Sequence, residues 1–296
     1  MTNWPDLPLS AWRDTRDTLH MWTQIVGKIR LKSTPLVNHW WNVPLYVTPR
    51  GLTTSTMYHG DRWLTIDFDF VAHVLRVRVS DGAEKVISLE PKTVARFYSE
   101  TMQALNELSV PVRIYTTPSE VAEPIPFERD DVHRSYDREF VERFWRALAL
   151  SAGVFTKFRA QFMGKCSPVH FFWGSFDLAV TRFSGRRAPE RPEVDVITRE
   201  AYSHEVSSVG WWPGDDRSEA SYYSYAAPEP DGFRQTNVAN GNFIEALGGF
   251  YLPYDAVRNA ADPEATLLAF CEDTYNAAAN CGNWDRTALE LSLIHI

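Results

Sequence analysis

Residues 165–181 read Lys-Cys-Ser-Pro-Val-His-Phe-Phe-Trp-Gly-Ser-Phe-Asp-Leu-Ala-Val-Thr, and residues 32–48 read Lys-Ser-Thr-Pro-Leu-Val-Asn-His-Trp-Trp-Asn-Val-Pro-Leu-Tyr-Val-Thr. Laid on one another without a gap, they match Lys32 to Lys165, Pro35 to Pro168, Trp40 to Trp173, Leu45 to Leu178 and Val47-Thr48 to Val180-Thr181. Tryptophan, proline and lysine seldom coincide by chance, and a unit repeated within a chain governs how the whole fold is read. The same offset carries Trp12-Arg13 onto Trp145-Arg146, and a longer one carries Phe97, Glu100 and Thr101 onto Phe270, Asp273 and Thr274. An internal duplication with a longer second copy is the expectation.

Working outward, both copies predict the same elements. Residues 10–31 place Trp12, Leu19, Trp22, Ile25, Val26 and Ile29 at helical spacing, and residues 137–163 do so with Phe140, Phe144, Leu148, Val154, Phe155 and Phe158. Proline follows each run, and the residue before a proline disfavours helix. Strands are expected at 44–48, 63–70, 74–79 and 85–89, with Asp81-Gly82 as a turn, and at 171–183, 201–210, 221–227 and 250–252. Helices at 91–108 and 263–279 close the copies, each with proline near its first turn.

The expected fold class is therefore α+β: two duplicated helix–antiparallel meander–helix units related by a pseudo-twofold and sharing one core. Residues 1–115 form the first unit, 116–136 a Pro-rich acidic linker, and 137–285 the second, longer unit. The last six residues, 291–296, match the translation of a transposon-derived sequencing adapter. They are read as adapter, so the native chain beyond Glu290 is left open and His295 is set aside.

Composition narrows the class. The 296 residues are 44% hydrophobic and carry a net charge of −8, which argues against nucleic acid or an anionic membrane as the partner. No apolar run reaches the roughly 18 residues of a spanning helix. Three cysteines at no metal spacing and no signal-like N-terminus point to a cytoplasmic protein. Dinucleotide, P-loop and nucleophile-elbow motifs are absent, His204-Glu205 is not followed by a second histidine at 208, and no cofactor is assigned. Eleven Trp, 12 Tyr and 17 Phe suit a large core, or walls for a flat apolar ligand.

The second copy differs from the first in chemistry. His170 and Asp177 stand where the first copy has Val37 and Pro44, so ionisable groups have replaced apolar ones among Phe171, Phe172, Trp173 and Phe176. Strand alternation puts Phe176, Leu178 and Val180 toward the core and Asp177, Ala179 and Thr181 toward the opposite face. His204 and Glu205 must point to opposite faces, so one of them joins Asp177. His170, Asp177, His204 and Glu205 are thus the candidate catalytic residues, an imidazole beside a carboxylate being a general acid–base pair. Trp173, Tyr202, Tyr223 and Arg186 are the candidate ligand-binding residues. No metal site is assigned.

The segments Trp4-Pro5-Asp6-Leu7-Pro8, Asn38-His39-Trp40-Trp41-Asn42-Val43-Pro44-Leu45-Tyr46, Gly51-Leu52-Thr53-Thr54, His170–Leu178 and Tyr202-Ser203-His204-Glu205 resemble the bacterial uncharacterised proteins grouped as domain-of-unknown-function family 5996. The likeness extends to about Asp285 and implies a stand-alone bacterial protein. It implies no activity and no catalytic residues. The residues themselves leave three classes open: an enzyme acting on a small organic molecule by His/carboxylate acid–base chemistry in an aromatic-lined cavity, a non-catalytic small-molecule-binding protein, or a scaffold for a protein partner. A small-molecule ligand is expected, and the oligomeric state is left open.

Overall fold

Helix α1 (Leu9–Ser33) runs through the middle of the molecule, with Leu19, Trp22, Ile25, Val26 and Ile29 fully buried. Its helical run of apolar side chains meets both halves of the protein, which is why so long a helix has so little exposed surface. The structure is a computed structural model that describes residues 4–215 and 218–291.

The first sheet is antiparallel: β1 (Tyr46–Thr48), β2 (Gly51–Thr53), β3 (Met57–His59), β4 (Arg62–Asp69), β5 (Val74–Val79) and β6 (Glu84–Ser88). Its order is β1-β2-β4-β5-β6, with β2 and β3 sharing one edge of β4. Inward alternation of Leu64, Ile66, Phe68, Leu75 and Val77 supplies the core face. Helix α2 (Val94–Glu107), capped by the Thr93 hydroxyl on the Arg96 amide, covers it. Helix α3 (Arg138–Ala160) follows, capped by Asp137.

The second sheet comprises β7 (His170–Phe172), β8 (Asp177–Arg187), β9 (His204–Asp215), β10 (Ser218–Ala227), β11 (Asn242–Ile244) and β12 (Gly249–Pro253), ordered β11-β12-β10-β9-β8-β7. Short helix α4 (Val196–Ala201) interrupts the β8–β9 connection, α5 (Tyr254–Arg258) and α6 (Pro263–Cys281) follow the sheet, and α7 (Arg286–Leu289) ends the described elements. The two sheets meet where Leu45 and Phe171 exchange two backbone hydrogen bonds of 2.9 Å. Phe171 is also paired with Leu178, so the leucines matched by the repeat flank one phenylalanine.

The fold is α+β with two antiparallel sheets and seven α-helices among the described residues. Each half does run helix, sheet, helix. The sheets differ at their outer strands: β4, β5 and β6 lie in chain order, whereas β12 comes between β10 and β11. The two helices aligned by the expected repeat also end differently, since Pro35 lies two residues beyond the last residue of α1 and Pro168 eight beyond that of α3. The expected single strand 171–183 is in fact a hairpin, broken by a turn at 173–176 with Phe176 in a left-handed conformation (φ 59°). The stretch 116–136 is no solvated tether. Phe127 and Asp130 are fully buried, and the Asp130 and His133 carbonyls accept the first amides of α2. Of the 291–296 tail, only Leu291 is described, its amide donating to the Gln161 carbonyl at 3.0 Å; residues 292–296 lie outside the described residues.

Candidate functional site

The hairpin settles which side chains share a face. Cross-strand partners in an antiparallel pair point the same way, and here His170 faces Ala179 while Phe172 faces Asp177. The same row continues through Thr181 and Phe183 on β8, Val206, Ser208 and Gly210 on β9, Tyr223 and Tyr225 on β10, and Tyr251 on β12. The opposite row, including Leu178, Val180, Trp211 and Tyr222, is buried against the helices, as alternation predicts.

Above the first row lies a half-open cavity of about 910 Å³. That size lies within the range of small-molecule sites. The second sheet forms its floor. α1 supplies Lys28 and Leu31, residues 39–43 add His39, Trp40, Trp41 and Val43, the stretch between α2 and α3 adds Ser119 and Glu120, and the segment containing α4 covers one side. The cavity is thus built by both halves of the chain, not by the second alone.

Asp177 is the ionisable centre of the floor, only 6% exposed. Its carboxyl accepts hydrogen bonds from the Ser175 hydroxyl and from the Tyr223 phenol. Tyr223 reaches it from two strands away because Gly210 lies between: a Cβ there would fall 2.3 Å from the ring and its hydroxyl. Glycine inside a strand marks such close approaches. Burial pushes the Asp177 carboxyl above its ordinary range, against the lowering effect of the two hydroxyl donors. Burial raises the Tyr223 phenol as well, so it stays a donor.

Glu120 stands at the mouth. Much of the residue is exposed, but its carboxyl is turned inward over Gly174, where a Cβ would lie 2.5 Å from Oε1. Partial burial and the neighbouring Asp177 charge both raise its pKa. Lys28, 7% exposed, donates to the Ser119 hydroxyl at 3.1 Å and lies 5.8 Å from the Trp173 ring centre; burial lowers its pKa. Trp173 fits because Gly27 on α1 presents no Cβ to it, and its indole N–H donates to the Val43 carbonyl at 2.8 Å. His20, Gln24 and Lys28, four residues apart, place a polar stripe on this side of α1. Gln24 accepts from the Ser119 amide and donates to its carbonyl, both at 2.8 Å, which fixes the segment carrying Glu120.

His39 Nδ1 lies 3.1 Å from the Glu200 carbonyl, which can only accept, so Nδ1 carries the proton and Nε2 accepts from Lys165 at 2.6 Å. Burial and then the Lys165 charge lower the His39 pKa, consistent with a neutral ring.

Of the candidate catalytic residues, the structure places Asp177 in the cavity and the other three outside its lining. His170 shares the face of Asp177 but is fully buried among Trp41, Tyr46 and Phe172, with neither ring nitrogen hydrogen-bonded. His204 sits at the opposite end of β8 and β9, opposite Arg187 and with its ring centre 5.5 Å from that of His39. Glu205 is held by the Ser184 hydroxyl and by Arg186. The hydroxyls of Ser175 and Tyr223, not an imidazole, satisfy Asp177. Among the candidate ligand-binding residues, Trp173, Tyr202 and Tyr223 line the cavity. Arg186 does not: it bridges Glu205 to the Gly282 and Asn283 carbonyls. Among the described residues no three His, Cys, Asp or Glu side chains are grouped as metal ligands. No helix among them is long and apolar enough to cross a membrane.

Asp177→Asn tests the electrostatics of the floor. A carboxyl whose folded pKa is raised adds stability below its unfolded pKa and loses it as pH rises through the folded value. At pH 8 the asparagine variant is therefore expected to be at least as stable as the parent in urea denaturation, the difference closing as pH approaches the ordinary aspartate value near 3.9. A loss above about 1 kcal/mol at pH 8, the worth of a typical hydrogen bond, would make Asp177 a structural anchor instead.

The family described as "Family of unknown function (DUF5996)" matches residues 4–291, nearly the whole chain. No curated protein and no solved structure matches it.

Proposed function

The chain belongs to this family of unknown function, and from that premise we propose that it binds a small organic molecule in the cavity between α1 and the second sheet. The observation that carries the proposal is the floor itself. A buried carboxyl is costly unless something compensates it, yet Asp177 is held in the wall of an aromatic cavity that both halves of the chain build. Trp173, Tyr202 and Tyr223 are its ligand-contacting residues in this reading, with Trp41, Phe172 and Trp212 completing the walls.

A specific observation favours catalysis as a second reading. Asp177 and Glu120 both line the cavity, and burial raises both carboxyls toward the range useful for proton transfer. They replace the histidine–carboxylate pair as the acid–base groups, one able to give a proton while the other takes one.

The binding proposal is tested with 4-phenylbutanol, a neutral aromatic probe, titrated against tryptophan fluorescence. Trp41, Trp173 and Trp212 line the cavity, so saturable quenching is expected. Thr181→Trp, which fills the cavity from its floor, is expected to abolish it while leaving the far-ultraviolet circular dichroism unchanged. Equal binding by a folded Thr181→Trp protein would overturn the proposal.

A further inference from the structure

We infer that the ligand carries an organic ammonium group, received beside Asp177 and Glu120. This deepens the binding proposal and rests on it. Three carboxyls line the cavity, at Glu120, Asp177 and Asp195, against one lysine, Lys28, and a histidine whose hydrogen bonds fix it as neutral. Asp195 is already engaged by the Ile197 and Thr198 amides and the Thr198 hydroxyl. Asp177 and Glu120 are not matched by any cation within ion-pair distance among the described residues. At that end two carboxyls therefore stand against one ammonium, that of Lys28, which is bonded to the Ser119 hydroxyl.

The walls at that end suit a cation. Phe172 is the direct cross-strand neighbour of Asp177, and Trp173, Trp212 and Tyr223 also face the cavity. Aromatic faces attract ammonium groups through the ring quadrupole, most strongly where water is excluded. The protein already uses this contact beside the same site: the Lys28 ammonium lies 5.8 Å from the Trp173 ring centre and 5.4 Å from that of Tyr115. A carboxylate ligand, by contrast, would add a negative charge to an acidic, apolar pocket. Its single direct cation, Lys28, is already donating to Ser119.

The test compares three probes of equal length by isothermal titration at pH 8 and low salt: 4-phenylbutylamine, protonated at that pH as a lysine side chain is, 4-phenylbutanol and 4-phenylbutanoate. The amine is expected to bind at least tenfold more tightly than the alcohol, and the carboxylate more weakly than the alcohol. Asp177→Asn and Glu120→Gln should each reduce the ratio of amine to alcohol affinity severalfold. Glu120→Gln lies on an exposed segment, so it keeps the test informative if the Asp177 variant folds poorly. An alcohol that binds as well as the amine, or a carboxylate that binds best, overturns the ammonium inference and leaves the cavity proposal standing. Failure of all three probes to bind overturns both.

Discussion

His170→Leu is expected to make the protein markedly more resistant to acid. His170 is fully buried with both ring nitrogens unpaired, and burial, then the Arg30 and Arg159 charges, lower its pKa to about 3. Unfolded, the ring titrates near 6.5. A histidine whose folded pKa is depressed stays neutral in the native state while the unfolded chain takes up a proton, so stability falls as pH drops through 6.5 and levels off near the folded value. At pH 4 the loss from His170 alone is on the order of 3 kcal/mol. His20, lowered to about 4 by burial and Arg16, adds a comparable loss. Asp177 and Glu120 act in the opposite sense, because protonation relieves them. Leucine removes the titrating group and the two unsatisfied nitrogens at similar volume, so thermal melts at pH 7 and pH 4 should lie closer together in the variant. Parallel pH dependence in parent and variant would show that His170 is protonated or solvated in the folded protein.

The second large effect is expected at Phe144 on α3. Its ring is stacked on Phe176 at 5.1 Å and packs against Trp12 of α1, Phe171 of β7 and Trp211 of β9. It thus joins the central helix to the hairpin that presents Asp177. Phe144→Ala leaves a cavity among groups fixed by three other elements, none free to collapse, and the expected cost is about 3–5 kcal/mol in denaturant unfolding. A cost below about 1 kcal/mol would mean that the site collapses easily and that the two halves are held together elsewhere.

Much of this architecture was legible in the residues. Apolar periodicity placed α1 and α3, alternation placed Leu178 and Val180 inward and Asp177 outward, and the aromatic excess suited a large core or a lined cavity without choosing between them. What escaped has physical reasons. Residues 170 and 177 would face opposite ways along one continuous strand. The turn at 173–176 folds them onto one face, and a turn with a left-handed phenylalanine carries no strong local signal. Ser175 and Glu120 come to the site from a turn and from a stretch read as linker; Tyr223, a ligand-binding candidate from the outset, reaches Asp177 from a strand two positions across the sheet, so no spacing rule links them to it. Two cues were present. Gly210 inside an otherwise continuous strand marks the passage of a ring, and the His20, Gln24, Lys28 stripe marks a buried polar side on an apolar helix. One of His204 and Glu205 was expected to join Asp177, but they lie at the far end of the strands, where Ser203 bonds the His204 ring and Arg186 holds Glu205.

The most direct test is a crystal structure of the protein soaked with 4-phenylbutanol, which probes the cavity without presupposing a charged ligand. The expected result is probe density above the β8–β10 face, between Trp173 and Tyr223, with its hydroxyl toward Asp177. A cavity closed by its own side chains, with the probe bound only elsewhere on the surface, would contradict the assignment of this site.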